Sequence, residues 1–174
     1  MTASDIRVVV SGSSWMGGGF GSIESALHDL FARANDEVVL VSYAISGGAG
    51  ILFQQITGLL QRGIRVRMLV NRYDNQHEAV RRELGKLRQQ FPKTLLIFSY
   101  IPQNEEADLH AKIIIVDRKF ALVGSANLSM RGLMDNHELG LVLEGTAVAD
   151  VARAVDLLMQ AKQTIPVNFR GAKT

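Results

Sequence analysis

The segment from His110 to Asn127 reads HAKIIIVDRKFALVGSAN and gathers residue types that suit phosphate chemistry. His110 offers an imidazole that titrates near neutrality and can act as nucleophile or acid. Lys112 offers an ammonium, Ser125 and Asn127 offer hydrogen-bond donors, and the backbone at Gly124 and Ser125 can turn N–H groups towards an oxyanion. No carboxylates gather here at metal-ligand spacing, so the reading is a phosphate cradle with neither metal nor organic cofactor.

Two residues apart on a strand, His110 and Lys112 project from one face, while Leu109, Ala111 and Ile113 project from the other. The strand expected over Leu109 to Val116 breaks at Asp117, Arg118 and Lys119, and Phe120 to Val123 returns as the second arm of a hairpin. With Val116 near Phe120, antiparallel pairing sets Gly124 opposite Lys112 and delivers Ser125 and Asn127 to the basic pair. Asp117, about 17 Å from Lys112 along the strand, is then a structural turn residue. Gly124 permits a tight backbone at the hairpin exit.

The elements around this hairpin alternate. Strands are expected at Ile6 to Val10, Val38 to Ile45, Ile64 to Val70, Leu95 to Tyr100 and Leu139 to Leu143, all rich in β-branched residues. Helices are expected at Ser22 to Ala34 with Ser22 as cap, Ile51 to Arg62 stopped by Gly63, Asn75 to Phe91 and Thr146 to Lys162. Such alternation followed by closely spaced strands predicts a single α/β domain over residues 1–174, a mixed sheet with helices on both faces. The loop from Leu128 to Asn136 leaves from the site end, so the next strand starts there and Glu138 is placed to orient His110. His137 faces the opposite way from Glu138 and lacks companions for a metal site. The glycine-rich WMGGGFG at Trp15 to Gly21 lacks the spacing of a nucleotide-binding loop and reads as a flexible connection.

Composition narrows the classes. The 174 residues are 47% apolar and 21% charged, with no cysteine and a formal net charge of +2. Disulfides, thiolate metal sites and a cysteine nucleophile are excluded, and no global basic field announces a polyanionic partner. Arg65, Arg67, Arg72 and the basic face of the Asn75 to Phe91 helix fit either a solvated surface or a track for a nucleic-acid backbone. Apolar runs such as Ile113 to Val116 fall far short of the roughly 20 residues of a membrane span, and the start MTASDIRVVVSGSS lacks a leader pattern, so a cytoplasmic protein without stable membrane association is expected.

The pattern H-x-K-x4-D-x6-G-S-x-N, from His110 through Asp117 to Asn127, resembles the HKD motif of the phospholipase D superfamily. The text that follows, LSMRGLMDNHELGLVL, is similar to that family as well. The resemblance implies a metal-independent phosphodiesterase in which His110 attacks phosphorus, Lys112 and Asn127 hold the nonbridging oxygens, and Ser125 supports them. A second histidine then protonates the leaving oxygen. His28, His77 and His137 do not repeat the motif, and short single-motif members of the family build the site at a twofold dimer interface. A homodimer acting on DNA or RNA is therefore expected, with a phospholipid hydrolase or a nucleic-acid-binding module of little cleavage as alternatives.

Overall fold

In the computed structural model, which describes residues 5–15, 17–46, 50–103 and 107–169, the alternation becomes one mixed sheet flanked by helices. Its strands are β1 (Asp5–Ser11), β2 (Gly21–Ser22), β3 (Glu37–Ser42), β4 (Arg65–Asn71), β5 (Leu95–Tyr100), β6 (Lys112–Val116), β7 (Phe120–Gly124), β8 (Glu138–Glu144) and β9 (Thr164–Pro166). They lie in the order β2-β1-β8-β7-β6-β3-β4-β5-β9. The pairs β1/β2, β3/β4 and β4/β5 are parallel, and the others are antiparallel. Consequently the carboxyl ends of β1, β3, β4 and β7 and the amino ends of β6 and β8 meet along one edge, which is where the polar motif lies.

Four helices cover the sheet: α1 (Ile23–Arg33), α2 (Gly50–Gln61), α3 (Glu78–Gln90) and α4 (Thr146–Met159). The first three lay apolar stripes on one face. Ile23, Leu27 and Leu30 of α1, Ile56 and Leu59 of α2 and Leu84 of α3 join Val38, Leu40, Met68 and Val116 in the larger core. Each such side chain stabilises the fold by about 1.5–3 kcal/mol relative to exposure. On the opposite face α4 stands alone and packs Val148, Ala152 and Val155 against Val39, Leu69, Ile115, Ala121 and Leu143. Local signals set the boundaries: Ser22 caps α1 by accepting from the Ser25 N–H, and Gly63, at φ +80°, ends the chain segment after α2.

Several expected boundaries move. The strand predicted from Leu109 starts at Lys112, leaving His110 outside any ladder. The one predicted to Ile45 stops at Ser42, and the helix predicted from Asn75 starts at Glu78, because a 3-10 turn at Tyr73–Asn75 intervenes and His77 caps the helix. The last helix stops at Met159 rather than Lys162, since the chain turns into the short edge strand β9, which no sequence pattern marks. Within Trp15 to Gly21, Met16 lies outside the described residues, and Gly21 pairs with β1 as part of β2.

Candidate active site

The hairpin register is the predicted one: Val116 faces Phe120 and Lys112 faces Gly124. Close packing of β7 on β8 requires Gly124, because a Cβ there would sit 2.5 Å from the Leu139 carbonyl oxygen and 2.8 Å from the Gly140 Cα. That contact brings Ser125 to Glu138. The Ser125 hydroxyl donates to the Glu138 carboxylate and accepts from the Leu139 N–H at 3.2 Å.

Lys112 is the central feature. Only 8% of it is exposed, yet among the described residues it forms no ion pair. Its Nζ lies 2.8 Å from His110 Nδ1 and donates to the His110 carbonyl at 2.7 Å. Burial pushes the ammonium below the usual lysine range, and the Glu138 charge pulls in the opposite direction. A cation is thus kept out of water without a bonded counter-charge.

His110 is exposed and rests against the Tyr43 ring, centroids 4.7 Å apart, while Lys112 Nζ lies 5.6 Å from the same ring. The sequence offered no reason to name Tyr43; only the pairing of Val41 with Ile113 places the residue after β3 beside the residues before β6. Asn127 completes the cluster's polar set. Its Oδ1 is buried, and the side-chain amide makes no hydrogen bond among the described residues. The bend that carries it is tight, since the Ser129 N–H donates to the Asn127 carbonyl and a Cβ on Gly132 would lie 2.5 Å from that oxygen. A π-helical turn, Arg131–Asp135, then returns the chain to β8 through the Asn136 N–H to Arg131 carbonyl bond.

Glu138 stands at the start of β8, as expected, but it is bound differently from the expectation. Its carboxylate takes Ser125 and Asn136, and no hydrogen bond joins it to His110 among the described residues. The reason is that His110 lies off the strand, so its ring leans towards Lys112 and Tyr43. Asp117 sits at the remote turn, at φ +50°, where it accepts from the backbone N–H groups of Asn35, Asp36 and Glu37 at 2.8–2.9 Å. Burial works against its charged form, but the amides win and hold the carboxyl below its ordinary range.

The other histidines lie elsewhere. His77 Nδ1 accepts from the Ala79 N–H, and His137 Nε2 accepts from the Ser14 N–H at 3.1 Å while facing away from Glu138. Arg65, Arg67 and Arg72 are paired with Asp36, Glu37 and Asp108. Beside the site a cleft of about 570 Å³ opens between Tyr43 and Ser46 on one side and Arg72 and His77 on the other.

A family model described as "Cardiolipin synthase, PLD-like domain" matches residues 27–162. Cardiolipin synthase A of Serratia proteamaculans is 32% identical over 141 residues, 80% of this chain and 27% of that protein. DISARM protein DrmC of Bacillus paralicheniformis is 23% identical over 124 residues, 71% of this chain and 50% of that protein. The chain therefore spans half or less of the curated relatives it matches. Among solved structures, the phospholipase D family member Nuc from Salmonella typhimurium superposes with a TM-score of 0.72 at 14% identity, covering 95% of this chain and 99% of that one.

Proposed function

Because the chain belongs to the phospholipase D superfamily, we propose that it is a metal-independent phosphodiesterase that cleaves DNA or RNA at a site shared between two copies of itself. The observation that carries this reading is Lys112, a buried ammonium without a bonded carboxylate, held against an imidazole. Burying a cation unpaired is costly, and a phosphodiester arriving at His110 supplies the missing negative charge. His110 attacks phosphorus and forms the P–N bond as the P–O bond to the leaving group breaks. Lys112 and Asn127 hold the nonbridging oxygens, and Ser125 with Glu138 keeps Lys112's side of the cradle in place. Water then hydrolyses the phosphohistidine.

In-line displacement needs a proton donor on the far side of phosphorus, and the chain's other histidines are set apart from His110: His28 lies in α1, His137 accepts from the Ser14 N–H, and His77 caps α3 across the cleft. A second copy of His110 related by a twofold axis fills that role. The sheet face beside the site suits such a partner, because α4 covers only its remote half. Ile113, Val123 and Leu141 are incompletely buried there, and Leu139 is 45% exposed. Similarity to cardiolipin synthase favours a lipid phosphodiester as the second reading.

The test incubates wild type and His110→Ala with labelled single- and double-stranded DNA, RNA and phosphatidylglycerol vesicles in excess EDTA. His110-dependent nucleic-acid products from a species that scatters light as a dimer are expected. Lipid turnover alone selects the second reading, activity retained in His110→Ala defeats both, and salt-sensitive binding without product leaves a binding module.

A further inference from the structure

Since His110 stands outside the β-ladders, something other than sheet hydrogen bonding must fix it. That support comes from the carboxyl end of β4. Asn71, 3% exposed, spends both ends of its amide on the segment before His110. Its Oδ1 accepts from the Leu109 N–H at 3.0 Å, and its Nδ2 donates to Asp108 Oδ1 at 3.0 Å. Arg72 Nε donates to the same carboxylate oxygen at 2.8 Å. Gln76 braces the opposite side, donating to the carbonyls of Asn71 and Tyr43 at 2.8 and 3.1 Å and accepting from the Ile45 N–H. The Tyr43 ring and the Asp108 loop are thereby locked to one another with His110 between them.

We propose that Asp108 is a positioning residue for His110: pinned by Asn71 and Arg72, its carboxylate fixes the loop carrying the imidazole and supports the protonated imidazole that must serve the leaving oxygen. This rests on the phosphodiesterase reading above, which needs one histidine of the pair to start protonated. Lys112, with its ammonium 2.8 Å from the ring, opposes that charge. Glu138 acts on Lys112 and is bound to Ser125 and Asn136. Asp108 stands two residues before His110 in the same loop, and the Arg72 and Asn71 hydrogen bonds hold it ionised. Lys112 from β6 and Tyr43 from the end of β3 contact the His110 ring, while Asp108 from its own loop, Arg72 and Glu138 stand further out.

Asp108→Asn separates charge from geometry, because an asparagine oxygen still accepts from Arg72 and Asn71. With bis(p-nitrophenyl) phosphate in EDTA, this variant of the full-length protein should lose roughly tenfold in kcat with little change in KM. The limb of its pH profile on which the protonated histidine is lost should move to lower pH, as removing a nearby negative charge requires. Asp108→Ala, which also frees the loop, should lose roughly a hundredfold. Wild-type kcat and an unmoved profile in Asp108→Asn overturn the proposal. The His110 ring titration followed by NMR in wild type and Asp108→Asn supplies a readout that needs no turnover. If wild type itself cleaves no phosphodiester, the functional reading fails, and an unmoved titration midpoint still separately overturns the role of Asp108.

Discussion

The β6–β7 hairpin has two polar ends that obey opposite rules. At the turn, Asp117 takes three backbone N–H groups, and Arg118 reaches both oxygens of Asp156 at 2.8 Å. At the other end, among the described residues, a buried ammonium lacks a bonded carboxylate and a buried amide oxygen of Asn127 lacks a hydrogen-bond partner. One short motif spans both, so its residues divide into a satisfied set that builds the fold and an unsatisfied set left open for something the protein does not itself contain. Buried polar groups without partners cost stability, and a fold keeps them where a ligand will complete them.

The largest expected effect tests that division at its open end. Lys112→Met should reduce phosphodiester turnover roughly a thousandfold, as losing a charge-stabilising donor does. Stability at pH 7 should stay level or rise. The native lysine is held below its usual range by burial, with Glu138 opposing, so the penalty on its ammonium is fully present below the native value and fades as pH rises towards the unfolded one. Urea denaturation of the two proteins at pH 7 checks this. A loss of more than about 1 kcal/mol would make Lys112 a structural cation and erase the contrast between the ends.

How much of this was readable beforehand follows the same line. The hairpin register came from alternation and one turn, and it placed Gly124, Ser125 and Asp117 where they stand. Hydrophobic patterning likewise marks the interior strands, because burial on both faces leaves apolar runs such as Val38 to Val41. What escaped were features created by tertiary contact. β9 is three residues on an edge, with no apolar period to mark it. Tyr43 and Asn71 gain their roles only because β3 and β4 end beside the loop that precedes β6. The shift of Glu138 from His110 to Ser125 has the same origin, since a strand starting three residues late re-aims the imidazole.

At the satisfied end, Asp117→Asn should cost about 2 kcal/mol at neutral pH, because its amide nitrogen presents a donor to backbone donors. Turnover per folded chain should be unchanged, since the turn lies at the far end of the hairpin. The native carboxyl is depressed by the Asn35, Asp36 and Glu37 amides against a desolvation that works upwards. Its contribution is therefore present above the unfolded carboxyl range and disappears as pH falls through the lower native value, so wild type and variant should converge in acid. Denaturation midpoints at pH 7 and pH 3 measure the convergence; a constant gap would mean that shape rather than charge secures the turn.

The smallest effect comes from Arg118→Gly and asks whether satisfaction at the turn reflects need. Asp117 and Arg118 both occupy the left-handed region, φ +50° and +54°, and the Lys119 N–H donates to the Val116 carbonyl across them. Glycine adopts that conformation without the cost of a Cβ, roughly 1 kcal/mol. Against this stands the Arg118–Asp156 pair, about half exposed on the arginine side and therefore worth well under about 1 kcal/mol. The backbone gain outweighs the ion pair, by the smallest margin at low salt. Salt screens the ion pair and leaves the backbone term alone, so the glycine variant's melting temperature should rise relative to wild type as ionic strength increases. A variant that stays less stable at both ionic strengths would show that the ion pair holds the turn, and that the closed end of the hairpin is built more rigidly than its backbone alone requires.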